Sequence, residues 1–168
     1  LSDLTDDIGS GGQQLGAFIH QLNLTEREQL LQNLQRYYPQ ITKIHTSILR
    51  SGAIKLELHE RYQTTTDMNG QASLFESDMV TEARHINDGM LRLLAILAQQ
   101  FSPYEFVLFD EIENGVNPEI TEALVDALVG SAKQLLVTTH SPLVLNYLED
   151  DVARQSVLLI YKRPDGVS

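Results

Sequence analysis

The chain has 168 residues, 42% of them hydrophobic, and a formal net charge of −11. That is long enough for one domain with its own core, with no apolar run near the roughly 18 residues that cross a bilayer, and too acidic for the bulk surface to act as a nucleic-acid platform, which needs clustered Lys and Arg. Cysteine is absent, which removes disulfides and thiolate metal sites and fits a reducing, cytoplasmic setting.

The first residues are acidic and pass into Gly9-Ser10-Gly11-Gly12, read as a flexible lead-in. Residues 13–22 are expected to form a short helix. Thr25 and Glu28 have the spacing of a capping box, and Leu30, Leu31, Leu34, Tyr37 and Tyr38 then recur at helical spacing until Pro39. Period-two alternation follows in Ile44, Thr46, Ile48 and in Ile54, Leu56, Leu58, so Ser51-Gly52 between them predicts a tight hairpin. Residues 62–77 are polar, with a turn signal at Asn69-Gly70, and read either as a loop or as more of the antiparallel layer.

From Asn87 the texture changes to alternating helix and strand. Asn87 or Asp88 can cap a helix with Met90, Leu91, Leu94, Leu97 and Ala98 as its apolar positions, ending before Pro103. Phe106 to Asp110 is expected as a strand, apolar through Phe109, Pro118 starts a helix, and Leu135 to Thr138 is expected as a second strand. Pro142 opens a short helix through Leu148, and residues 157–161 are expected to close as another strand. Apolar strands joined by a helix predict a parallel sheet covered on both faces.

The first strand runs directly into Asp110-Glu111, and the second into Thr138-Thr139-His140. Adjacent carboxylates at a strand end can associate with Mg²⁺ through one acid and orient or deprotonate water through the other, or they can be solvated acids closing an apolar strand. His140 can sense a phosphate through one hydrogen bond or be structural. His20, His45, His59 and His85 show no metal-ligand spacing. Ile86-Asn87-Asp88-Gly89-Met90 is a helix start whose free N–H groups suit an anion. Glu113-Asn114-Gly115-Val116-Asn117-Pro118 reads locally as a turn leading into a helix. A cluster of Asp110, Glu111 and Glu113 holding a nuclease metal is a further option. No G-x-x-x-x-G-K-[ST] phosphate loop occurs anywhere in the sequence.

In their order and spacing, Ile86-Asn87-Asp88-Gly89-Met90-Leu91-Arg92, Phe109-Asp110-Glu111-Ile112-Glu113-Asn114-Gly115-Val116-Asn117-Pro118 and Val137-Thr138-Thr139-His140-Ser141-Pro142 resemble the signature, Walker B, D-loop and switch segments of the ABC-type ATPases. The chain is most similar to the RecF, SMC and OLD-related branch, often grouped with AAA ATPases of prokaryotic repair and defence. The resemblance implies a P-loop NTPase fold, here the C-terminal lobe of an ATPase head: a mostly parallel sheet flanked by helices over 82–168, preceded by a helical and β-hairpin segment over 1–81.

The same resemblance implies ATP and Mg²⁺ as cofactors, with Asp110 as the Mg²⁺-associated acid, Glu111 as the catalytic base and His140 as the switch residue at the γ-phosphate. Asn87, Asp88 and Gly89 would face ATP held by a second copy of the head, with Asn114 and Asn117 in the segment that crosses that interface. The family usually has serine at the place of Asn87 and histidine at that of Asn117. The phosphate loop is expected upstream of Leu1, in a Walker A lobe that partners this one, so these residues alone should not turn ATP over. DNA or a nuclease is the expected further partner, with no membrane. The alternative is an ATPase-like module that binds a protein partner without turnover.

Overall fold

The computed structural model describes residues 8–9, 12–68 and 71–161, with backbone alone over 63–68 and 71–76. Ser10 and Gly11 of the lead-in, and the Asn69-Gly70 turn signal, lie outside them. Helix α1 spans Leu15–Gln21 and buries Leu15, Phe18 and Ile19. Helix α2 spans Leu24–Gln35. Its capping box is Asn23 with Glu26, two residues before the expected Thr25 and Glu28: the Glu26 N–H donates to Asn23 Oδ1 at 3.0 Å and the Asn23 N–H to Glu26 Oε2 at 2.9 Å. Both pairs have the right spacing, and Asn caps at least as well as Thr. Leu30 and Leu34 turn inward with no exposure, while Leu24 at the helix start is 80% exposed.

Strands β1 (Ile41–Ile48), β2 (Ile54–Met68) and β3 (Gln71–Glu82) form an antiparallel sheet in that order. Ile41 and Ile44 are both buried although three residues apart, because the register shifts between Ile41 and Lys43 and returns the strand to the same face. At the hairpin the Leu49 N–H donates to Ala53 O and the Gly52 N–H to Leu49 O. Gly52 takes φ 85°, a left-handed conformation that glycine adopts without a Cβ penalty. The polar stretch from Tyr62 onward proves to be the continuation of the antiparallel layer rather than a loop, since β2 and β3 pair out to Met68 and Gln71.

A short 3-10 turn, Ala83–His85, leads into α3 (Asp88–Gln99), then β4 (Phe106–Phe109), α4 (Pro118–Val129), β5 (Gln134–Val137), α5 (Pro142–Leu145) and α6 (Asp150–Ser156). Strands β4 and β5 pair in parallel from Phe106 opposite Gln134 to Phe109 opposite Val137. The crossover helix α4 packs on α3, which also meets α2, so one core runs from Leu30 and Leu58 through Leu93 and Leu94 to Leu124. The class is mixed α/β with a small parallel sheet, helices and a hairpin.

Two expectations need correction. The parallel pair is covered on one face only: Phe109, Leu135 and Val137 pack on the core, whereas Phe106, Leu108 and Leu136 remain 51%, 55% and 47% exposed. Residues 157–161 form no strand, because among the described residues no sheet edge pairs with them, and Leu158, Leu159 and Ile160 are more than 80% exposed. Just before them the chain forms α6, with Asp150 and Asp151 in its first turn, where acids suit the helix dipole. Among the described residues no helix is long and apolar enough to cross a membrane.

Candidate functional site

Asp110 and Glu111 leave the C-terminal edge of β4, and Thr138 to His140 leave the same edge of β5, because parallel pairing ends both strands on one side. Thr138 joins the two segments. Its hydroxyl donates to Asp110 Oδ1 at 2.5 Å and accepts the Glu111 N–H at 2.9 Å. Its backbone extends the parallel ladder through bonds to Phe109 O and from the Ile112 N–H.

Glu111 has φ 45°, the left-handed region that a non-glycine residue enters at a cost on the order of 1 kcal/mol. It is the one non-glycine residue with positive φ among the described residues. The conformation is held from several sides: the N–H by Thr138, the carbonyl by the Arg92 guanidinium at 2.8 Å and the Asn114 N–H at 3.0 Å, and Oε2 by the Asn114 side-chain amide at 2.6 Å. The other carboxylate oxygen lies 3.4 Å from His140 Nε2. His140 is 84% exposed and Glu111 42%, so both face an open edge rather than the core.

Glu113 meets the backbone of His140 rather than its side chain. Its Oε1 accepts the His140 N–H at 2.6 Å, and the Thr139 hydroxyl and Ser141 N–H lie near enough to favour its charged form, although the Ser141 N–H itself donates to Thr139 Oγ1 at 3.0 Å. Burial works against ionisation of Glu113, but its own N–H and the donors of residues 139–141 outweigh that and hold its pKa below the ordinary carboxylate value. A lowered folded-state pKa contributes stability above the unfolded value, about 4.3, that is lost as pH falls through the folded one. The stability advantage of the wild type over Glu113→Gln should therefore shrink as pH falls from about 5 toward 3 in acid titrations followed by denaturation. A difference independent of pH would show that Glu113 does not hold this loop as a carboxylate.

The helix start and the turn before α4 also meet. Asn87 caps α3, accepting the Met90 N–H on Oδ1 at 2.8 Å. Gly89 is buried, and a Cβ there would stand 3.0 Å from Ile120 Cδ1, so the glycine lets α3 and α4 approach closely. Asp88 Oδ2 lies 3.3 Å from the Cβ position of Gly115, which takes φ 71°. Asn117 is the N-cap of α4 but makes no side-chain cap bond. The structure thus brings Asp110, Glu111, Asn114 and His140 into one cluster and sets Asn87, Asp88 and Gly89 beside the turn at Gly115. Thr138, Arg92 and Glu113 complete the cluster without having been assigned these contacts from sequence. An arginine amid Leu91, Leu93 and Leu94 is the anomaly that marks the second of them.

Asp110, the Thr138 hydroxyl and Glu111 are hard oxygen donors of the kind Mg²⁺ takes, with one or two carboxylates and the rest of its shell left to water and phosphate. Among the described residues no group of three or more His, Cys, Asp or Glu is arranged to hold a metal, which leaves the three-acid nuclease cluster without support. Glu113 is spent on the loop backbone instead.

A protein-family model described as "AAA domain, putative AbiEii toxin, Type IV TA system" matches residues 28–146. The chain belongs to this AAA family, whose function is of the nucleotide-binding ATPase type. No curated relative matches. Among solved structures, an ATPase from work on ATP-driven dimerization and DNA-stimulated activation of SMC ATPases superposes with a TM-score of 0.50 at 16% identity, covering 86% of this chain and 83% of that one. An Smc head domain from Pyrococcus furiosus, bound to the C-terminal domain of ScpA, gives a TM-score of 0.48 at 16% identity over 73% of this chain and 29% of its own. At that identity the first likeness shows the P-loop NTPase fold of SMC ATPase heads. The chain spans less than a third of the second structure.

Proposed function

We propose that the chain is the C-terminal lobe of a dimerising ABC-type ATPase head, with residues 1–81 as its helical and hairpin segment and 82–168 as its signature, Walker B, D-loop and switch segment. The observation that carries this reading is the convergence of Asp110, Glu111 and His140 at one edge of the parallel strands, with Glu111 held in a left-handed conformation toward His140. Membership of an AAA family supports it.

Asp110 would hold Mg²⁺, which when bound neutralises phosphate charge. Glu111 orients the attacking water and accepts its proton, at a carboxylate that Asn114 steadies from the opposite oxygen. His140 donates to the terminal phosphate. Asn87 and Asp88 at the start of α3, with Gly89 behind them and Asn114 and Asn117 in the adjoining turn, face nucleotide on a second copy of the head. ATP-driven dimerization is named for the SMC ATPases that share the fold. The phosphate cradle comes from a Walker A lobe outside these 168 residues, since the sequence contains no phosphate-loop pattern. The cycle serves DNA repair or anti-phage defence in the cytoplasm, with DNA or a nuclease as partner. The family's toxin-antitoxin description accords with a defence setting.

Asn87 and Asn117, in place of the family's usual serine and histidine, favour a second reading, an ATPase-like module that binds a protein without turnover. One experiment separates the two. In the full-length protein Asp110→Asn should abolish Mg²⁺-dependent ATP hydrolysis, measured as phosphate release against Mg²⁺ concentration. A wild type that binds its partner but releases no phosphate supports the module instead.

A further inference from the structure

We infer that Arg92 is a positioning residue for Glu111, tying helix α3 to the backbone of the proposed catalytic base; this inference rests on the ATPase reading above. Arg92 lies one turn beyond Asp88 on α3, partly buried at the wall of the cleft that also reaches Phe109 and Asp110. An arginine at such a place ordinarily pairs with an acid, and Asp88 stands at the favourable helical spacing. No carboxylate lies within ion-pair distance of it among the described residues. The guanidinium donates from Nη1 to the carbonyl of Glu111 at 2.8 Å instead.

That carbonyl belongs to the one described non-glycine residue with positive φ. The Asn114 N–H, which also reaches it, comes from the same turn, and Thr138 holds the other side of the residue through its N–H. Arg92 is therefore the tie that reaches Glu111 from α3, whose first residues are proposed to face the second nucleotide. A charge-assisted bond to a carbonyl fixes the following peptide plane and so opposes relaxation of Glu111 to an ordinary φ. Relaxation would swing the carboxylate away from His140. A shift of α3 when a second head closes would reach the base through this same bond.

The test is steady-state ATP hydrolysis by the full-length protein carrying Arg92→Ala or Arg92→Lys, each alone and combined with Glu111→Gln, with single-turnover rates for the slow variants. Arg92→Ala should lower kcat by about tenfold or more, the effect of losing a charged hydrogen bond, with KM changed by less than about twofold. Arg92→Lys, which keeps one charged donor, should recover part of the loss and stands in if the alanine variant fails to fold. In the Glu111→Gln background Arg92→Ala should cost less than about twofold, because residues acting through one group are not additive. A KM effect with kcat unchanged, an equal loss in both backgrounds, or normal turnover in Arg92→Ala overturns the inference while leaving the role of Glu111 intact. Normal turnover in Glu111→Gln alone removes Glu111 as the base, and this inference with it, while a wild type that releases no phosphate overturns the ATPase reading itself.

Discussion

Glu111→Gln in the full-length protein is expected to reduce ATP turnover by about 10²- to 10⁴-fold, the range supplied by a positioned general base, while nucleotide binding persists. The amide keeps the size of the carboxylate and can still accept the Asn114 hydrogen bond, and the left-handed backbone is held by Thr138 and Arg92 independently of the side-chain charge. What disappears is the group that takes a proton from water. Phosphate release and nucleotide affinity, measured side by side, check this. Survival of turnover would remove Glu111 from the chemistry, and loss of binding together with turnover would make it a structural residue.

The second large effect is on stability. Leu94 has no exposure and sits on α3, the helix that packs on α4 and also meets α2. Leu94→Ala should cost about 2–5 kcal/mol, the sum of lost transfer energy and an incompletely closed cavity, read from denaturant unfolding. Leu24→Ala, at a position 80% exposed, should change stability by no more than about 0.5 kcal/mol. Because α3 also carries Asn87 and Arg92, a destabilised Leu94 variant should lose activity in proportion to its unfolded fraction. A loss of turnover in a fully folded Leu94 variant would mean that the helix transmits more than its own folding.

Local chemistry made much of this fold legible. Asn87-Asp88 followed by a helical apolar period specified α3 and narrowed its cap to two residues, of which Asn87 is the one used, and Pro118 specified the start of α4, because capping and periodicity act within a few residues. The hairpin was readable from alternation and Gly52, since a left-handed turn position has a residue signature. Where two local solutions were equally good, as at Asn23 and Thr25, spacing alone chose wrongly. The failure over residues 157–161 has a different cause: a β-run becomes a strand only when an edge is available, and pairing is a property of the whole sheet. Helix α6 escaped notice because it buries none of its residues, leaving no apolar period to detect.

The candidate site divides in the same way. Asp110, Glu111 and His140 stood out because acids and a histidine after apolar strands are conspicuous in sequence. Thr138 did not, since a threonine at the end of a strand is ordinary until its hydroxyl is found between Asp110 and the Glu111 N–H. Glu113 read as the start of a turn, with a metal-binding acid as a further option, yet the return of β5 beside β4 gave it the His140 N–H to hold. Such contacts depend on the register of the parallel strands, which no local pattern encodes.

The most direct test is a structure of the full-length protein with Mg²⁺ and a non-hydrolysable ATP analogue. The account predicts the metal beside Asp110, the terminal phosphate between Glu111 and His140, and Asn87 of a second copy facing the same nucleotide. A triphosphate bound away from the Asp110–His140 edge, with Glu111 and His140 touching neither nucleotide nor water near it, would contradict the account.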